Sequence, residues 1–245
     1  MYHVPCNYHG NYIDEMTEKW LSPTPNPPRI PVFCTLTKDS QTKPGGKAII
    51  SGCDSPTKRI SFDDFLLQPI AKVQESYFKD TTHFLNFIEK TKVVKNTMLA
   101  SMEVTSLYTN ITQKEGINIA CKTYETCHLN KPSIPTLYIR DMLRLTLKEN
   151  SFQLTAKIIY LQTHGTAMGT KRAVSFANIL MAALETEIIN RSHFKPLSWK
   201  RYIDDVFSLR NINKEEINSF LELANSYLTI KFTHRAECLD IINYS

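Results

Sequence analysis

The sequence predicts an α+β fold in which helices cover one face of an antiparallel sheet. Three observations predict it. Strand-like and helical segments do not alternate regularly, as a parallel βαβ array would require. The middle of the chain is dominated by apolar residues at helical period, and apolar strand signals at 98–104 and 199–209 carry acidic residues. With 245 residues, 42% hydrophobic and 22% charged, the chain can bury a substantial core as one large domain or two subdomains.

Residues 1–30 run from Tyr, His and Asn into Pro23, Pro25, Pro27 and Pro28. Each ring fixes φ and removes a donor, so a poorly ordered lead-in is expected. Residues 31–36 are apolar and strand-like, and 43–53 (KPGGKAIISGC) read as a Gly-Gly turn carrying Lys47 into a short strand. The pair makes a hairpin with a basic tip. Ser61 with Asp64 is a capping-box variant, followed at helical spacing by Phe62, Phe65, Leu66, Ile70, Val73 and Tyr77, with a kink at Pro69. Thr112 with Glu115 repeats the signal before Ile117, Ala120, Cys121 and Tyr124, and 135–148 is helical by the same periodicity. Residues 152–162 are β-rich, and 170–190 form a long helix of small and apolar residues. Residues 199–209 are two short strands around an acidic pair, and 213–226 and 229–233 add a capped helix and a final strand.

The formal net charge of +5 is a mild bias toward polyanions and decides nothing alone. Cys6, Cys34, Cys53, Cys121, Cys127 and Cys238 include no CxxC pair, and no N-terminal stretch has signal-peptide order. Free thiols in a reducing, intracellular compartment are expected. Cys121, Cys127 and His128 lack a fourth ligand at sensible spacing, so they read as packing residues. The apolar runs are shorter than a membrane span, so no membrane partner is expected.

The sharpest chemical feature is Arg201-Tyr202-Ile203-Asp204-Asp205-Val206-Phe207, in which adjacent carboxylates sit between apolar flanks. Adjacent acids at a strand–turn–strand junction repel unless a cation lies between them. Alone, the tetrapeptide would read as a solvated hairpin turn. Upstream, however, 98–104 is an apolar strand carrying Glu103, followed by Ser106-Leu107-Tyr108-Thr109-Asn110 in a turn-forming context. Three carboxylates from two strands suit two hard Mg²⁺ ions about 3.5–4 Å apart, which activate a hydroxyl and stabilise a pyrophosphate leaving group. Between these motifs lies Leu161-Gln162-Thr163-His164-Gly165-Thr166-Ala167-Met168-Gly169-Thr170-Lys171-Arg172. This loop allows close backbone approach to a base pair, with Lys171 and Arg172 near a helix N-terminus suited to phosphate. A plain capping loop explains Gly169 and Thr170 equally well.

The order MEVTSLYTNI, QTHGTAMGTKRAVSFAN, RYIDDVF, TIKFT resembles the reverse transcriptases of Penelope-like retroelements, and KAIISGCDSPTKRIS with SYFKDTTHFL extends the likeness upstream. It covers roughly residues 31–240, and several separated motifs in fixed order make coincidence a poor explanation. The resemblance implies a right-hand polymerase with fingers at 31–97 and a palm with inserted fingers/palm helices at 98–245, truncated before the thumb. It further implies an RNA-directed DNA polymerase using Mg²⁺, with Mn²⁺ a substitute, on an RNA template, a DNA primer and deoxynucleoside triphosphates. Residence in the nucleus follows from retroelement biology. Asp204 matches a metal ligand, Asp205 its acidic neighbour, and Glu103 stands where the family carries its first catalytic aspartate. Tyr108 matches the aromatic that rejects a 2′-hydroxyl. Lys47 matches the basic grip on the triphosphate, Met168 and Gly169 the loop supporting the nascent base pair, and Arg172 a contact to substrate or template.

Four departures weaken the match. Glutamate at Glu103 moves the carboxylate by about 1 Å or more, a misplacement that can cost on the order of 10²-fold in rate. Thr37-Lys38-Asp39-Ser40-Gln41 is less basic than the family segment, and Lys47-Ala48 replaces an Arg-Pro pair, so a bidentate fork on the triphosphate is lost. Val174 stands where the family tends to have proline, and no thumb-like or GIY-YIG nuclease sequence follows the last strand. An impaired polymerase is therefore one expectation, and a non-catalytic nucleic-acid-binding remnant the alternative.

Overall fold

The computed structural model describes residues 28–38, 45–55, 57–58, 63–93, 97–128, 134–155, 158–193, 195–210, 214–226 and 230–240. The strands are β1 (Val32–Lys38), β2 (Gly45–Ser51), β3 (Met98–Thr105), β4 (Ser151–Thr155), β5 (Ile158–Leu161), β6 (Ser198–Tyr202), β7 (Asp205–Arg210) and β8 (Lys231–Asp240). The helices are α1 (Asp63–Lys72), α2 (Thr81–Lys90), α3 (Leu107–Asn110), α4 (Gln113–Cys127), α5 (Thr136–Lys148), α6 (Lys171–Arg191) and α7 (Lys214–Ser226). The fold class is α+β, as the sequence predicts.

Two four-stranded sheets replace the single sheet expected. The first has the order β2-β1-β4-β5: β1 and β2 form the expected antiparallel hairpin, and β4 joins β1 in parallel at Val32 and Gln153. Segments more than 100 residues apart thus share one sheet, a pairing that no local pattern announces. Gly45 and Gly46, read as a turn, lie within β2 opposite Lys38 and Thr37; the hairpin tip is outside the described residues. Of the lead-in, only 28–30 is described, and there Arg29 donates its N–H to the Asp54 carbonyl at 2.8 Å.

The second sheet, β6-β7-β3-β8, is antiparallel throughout. Period-two alternation sets its faces: Ala100, Met102 and Val104 are buried, while Ser101 and Thr105 are exposed. The buried face meets the core, which runs continuously through Met102 and Val104 to Phe176, Leu180 and Leu184 of α6 and Ile139, Leu143 and Leu147 of α5. On the opposite face, α2 lies against β7 through Phe84 and Phe87, whose rings meet Phe207 at 5.1 and 6.3 Å. Helices therefore cover one face fully and part of the other.

Helix α6 is apolar around most of its circumference because neighbours surround it. By length and composition its span Arg172–Arg191 could cross a membrane, which corrects the expectation of shorter apolar runs. Here 67% of the qualifying window is buried inside the fold.

Three local readings change. Helix α1 ends at Lys72 instead of continuing to Tyr77, which forms a parallel bridge with Arg201. Its buried stripe is Leu67, Ile70 and Ala71, whereas Phe65 is 71% and Val73 73% exposed. The segment carries two interleaved apolar stripes, and packing against α6 selects one. Thr112 is the N-cap of α4 but makes no side-chain capping bond. Ser61, the other proposed cap, is outside the described residues. Among the described residues Cys34, Cys53, Cys121 and Cys127 are free, and burial pushes the Cys121 thiol up, so it stays protonated.

The corrected phase of α1 is testable by urea unfolding. Leu67→Ala is expected to cost about 2–5 kcal/mol, and Phe65→Ala to change stability by no more than about 0.5 kcal/mol. Similar losses from both would contradict the burial assigned here.

Candidate active site

The antiparallel register brings Glu103 and Asp205 together at one end of the second sheet. Glu103 lies directly opposite Asp205, Asp205 opposite Tyr202, and Glu103 opposite Thr233. Directly opposed residues share a face, so Tyr202, Asp205, Glu103 and Thr233 form one row across four strands. That row is on the face away from the core, because the neighbouring pair Met102 and Val206 is buried. Asp205 is exposed and Glu103 half-buried.

Asp204 sits in the β6–β7 turn, and its carbonyl accepts the Val104 N–H at 2.7 Å. The preceding residue, Ile203, has φ of 54°. For a β-branched side chain this left-handed conformation costs on the order of 1–3 kcal/mol and persists only where surroundings impose it. They do so through Arg201, a 1% exposed residue whose Nη1 donates to the Ile203 carbonyl at 3.0 Å.

Tyr108 lies on α3, half-buried beside Asp204. Its hydroxyl pKa is held above the usual tyrosine range by burial first and by the Asp204 charge second. The phenol therefore remains neutral at physiological pH. Its backbone is braced by the loop before α6: the Thr166 N–H donates to the Tyr108 carbonyl at 2.8 Å, and Gly165 N–H to the Ile111 carbonyl at 3.0 Å. Gly165 has φ of 70°, and a Cβ there would lie 2.6 Å from the Tyr108 carbonyl oxygen. Only glycine allows this approach. The Gln113 amide adds a bond to the Gly165 carbonyl at 3.0 Å, a fixing residue absent from the sequence reading because nothing local marks it.

Met168 and Gly169 lie at the other end of that loop, against β2: the Ile50 N–H donates to the Met168 carbonyl at 3.0 Å. Lys47 is exposed on the same strand. The loop thus connects the β2 hairpin with the neighbourhood of Tyr108. Arg172 is the exception among the candidate residues. It is 2% exposed and donates Nη2 to the Thr146 carbonyl at 3.1 Å, which corrects its reading as a phosphate contact. A guanidinium turned into the core ties α6 to α5 and cannot meet a solvent-borne anion.

Among the described residues, no three His, Cys, Asp or Glu side chains are grouped closely enough to hold a metal ion. Mg²⁺ takes hard oxygens and usually binds through one or two carboxylates plus substrate phosphates instead of an all-protein cage. Glu103 and Asp205, opposite each other in register, are carboxylates of that kind.

Replacing Asp204 by Asn removes a negative neighbour, which favours tyrosinate, so the Tyr108 pKa is expected to fall. Burial, the larger cause, keeps it above the usual range. A spectrophotometric titration differenced against Tyr108→Phe reads this directly, and an unchanged Tyr108 pKa would contradict the proximity.

No protein-family model and no curated protein matches the sequence. Solved structures do match. Apo telomerase from Candida tropicalis superposes with a TM-score of 0.61 at 11% identity, over 83% of this chain and 43% of that one. The BmCPV RNA-dependent RNA polymerase at its elongation state gives 0.59 at 12% identity, over 91% and 21%. The RNA-dependent RNA polymerase of a human picobirnavirus gives 0.59 at 8%, over 83% and 39%. This chain spans less than half the length of each of these three proteins. At such identities the likeness is one of fold: the chain has the architecture these nucleic-acid polymerases share.

Proposed function

We propose that the chain is the fingers and palm portion of an RNA-directed DNA polymerase of the Penelope-like kind, acting by two-metal nucleotidyl transfer. The observation that carries this reading is the row placing Glu103 beside Asp205, next to the Asp204 turn, on the open face of a polymerase-like sheet. In the reaction, a primer 3′-hydroxyl attacks the α-phosphorus of a deoxynucleoside triphosphate. A new P–O bond forms as the hydroxyl gives up its proton to water, the phosphorus–oxygen bond to the β-phosphate breaks, and pyrophosphate leaves with the electron pair. Bound Mg²⁺ would supply Lewis-acid stabilisation of the charge that develops on these oxygens.

Glu103, Asp204 and Asp205 would hold the two cations. Tyr108, neutral and braced from behind, would present its ring to the incoming sugar and reject a 2′-hydroxyl. Lys47 would meet the triphosphate from the first sheet, while the Met168–Gly169 loop would support the nascent pair. An RNA template, a DNA primer and deoxynucleoside triphosphates are the implied partners, and the nucleus the implied compartment. A second reading, a strand-binding remnant without catalysis, is favoured by Glu103, whose longer side chain displaces the carboxylate.

Primer extension on an RNA template with Mg²⁺ or Mn²⁺ separates the two. Under the first reading, extension is expected, Glu103→Asp raises it by about 10²-fold, and Asp204→Asn abolishes it with folding preserved. Extension that survives Asp204→Asn would overturn the assignment. Salt-sensitive RNA binding with no extension, even after Glu103→Asp, would support the second reading. Tyr108→Ala is expected to admit ribonucleotides; unchanged sugar discrimination would remove Tyr108 from its role.

A further inference from the structure

The buried polar network beneath the Asp204 turn supports an inference about how that acid is placed. Arg201 donates Nε to Glu185 Oε1 at 2.7 Å, Nη1 to Asn178 Oδ1 at 2.6 Å and to the Ile203 carbonyl at 3.0 Å, and Nη2 to the Asn178 carbonyl at 3.2 Å. Glu185 accepts from the Ser76 hydroxyl through its other oxygen at 2.6 Å. The backbone repeats the connection: the Arg201 N–H donates to the Ser76 carbonyl at 2.6 Å, and the Phe78 N–H to the Arg201 carbonyl at 3.0 Å. Asn178, Glu185, Arg201 and Ser76 are all buried.

We propose that Arg201 is a positioning residue for Asp204, working as a latch between α6 and the β6–β7 turn. Stability alone does not require this arrangement, since a buried ion pair is often replaceable by apolar side chains without loss. Its geometry points elsewhere. One nitrogen, Nη1, bonds both Asn178 on the rigid helix and the carbonyl of Ile203, the residue whose φ is 54°. The next carbonyl along the chain, that of Asp204, is held from the other side by Val104. The turn is therefore gripped at two successive carbonyls, one by α6 through Arg201 and one by β3. Ser76 extends the latch to the connector between α1 and α2, so that displacement of this connector would reach the turn through Glu185.

The inference rests on the reading of Asp204 as a working acid, and its test keeps the two separable. Arg201→Lys retains the charge beside Glu185 but lacks the planar fork needed to engage Asn178 and Ile203 together. In the full chain, hydrogen exchange followed by NMR is expected to show the Val104 amide, whose N–H donates to the Asp204 carbonyl, exchanging at least about tenfold faster, a loss of local protection at the turn. Ser208 and Leu209, farther along β7, should stay protected. Asn178→Ala, which keeps the Arg201–Glu185 pair, should give the same localised pattern and covers the case in which Arg201→Lys does not fold. Where extension is measurable, kcat should fall about tenfold or more with the nucleotide KM little changed, as expected when only transition-state placement is lost. Unchanged turn protection in a folded variant, or a uniform rise across the sheet, would overturn the proposal; unfolding of both variants would do the same by reducing the network to a stability element. The exchange readout needs no catalysis, so an inactive chain would count against the polymerase reading while leaving this test decisive.

Discussion

The buried ion pair between Arg201 and Glu185 constrains much of the molecule. Both groups are withdrawn from water, and such a pair persists only if nearly every donor and acceptor finds a partner. The partners come from three places: Asn178 on α6, Ser76 on the connector between α1 and α2, and the Ile203 carbonyl in the β6–β7 turn. Satisfying one guanidinium thus sets the distance between helix and sheet and the path of the connector. The same bonds hold a turn that an isoleucine would not adopt unaided.

A second constraint is the loop before α6. Its first half packs beneath Tyr108 and its second half against β2, so one short segment links the helix that follows β3 to the sheet carrying Lys47. Backbone hydrogen bonds make both junctions, and the Gln113 amide adds a bond to the first, which gives the geometry little freedom to drift. Far from the acids, Arg210 shows another treatment of a buried guanidinium. It lies 3.7 Å from the Phe220 ring centroid and 5.4 Å from that of Trp199, bonded also to Ser208, and burial lowers its pKa to about 10. Aromatic faces there do part of the work that Glu185 does for Arg201.

Much of the candidate site was legible because its signals are local. An acidic pair between apolar flanks announces a hairpin, and alternation in 98–105 announces the strand beside it. The Gly-containing loop likewise leads into a helix close to where periodicity places it. Less legible was everything resting on contacts between distant segments. Arg172 reads as an exposed anion binder from its place at a helix start, yet α5 offers it a carbonyl inside the core. Phe65 and Leu67 are both plausible core residues of one helix, and only α6 decides between them. A capping pair at Thr112 and Glu115 marks the helix start correctly while the capping bond itself is absent.

What the sequence by itself determined was the α+β class, most of the elements and the order of the chemical motifs, since these follow from periodicity, turn chemistry and the spacing of a few residues. Tertiary structure alone decided that two sheets form, that Glu103 faces Asp205, that Arg172 turns inward and that Arg201 grips the turn. The physical reason is the range of the forces involved. Periodicity is set by neighbours along the chain, whereas strand register and the burial of a charge depend on partners about a hundred residues away or more, whose proximity exists only once the core has closed.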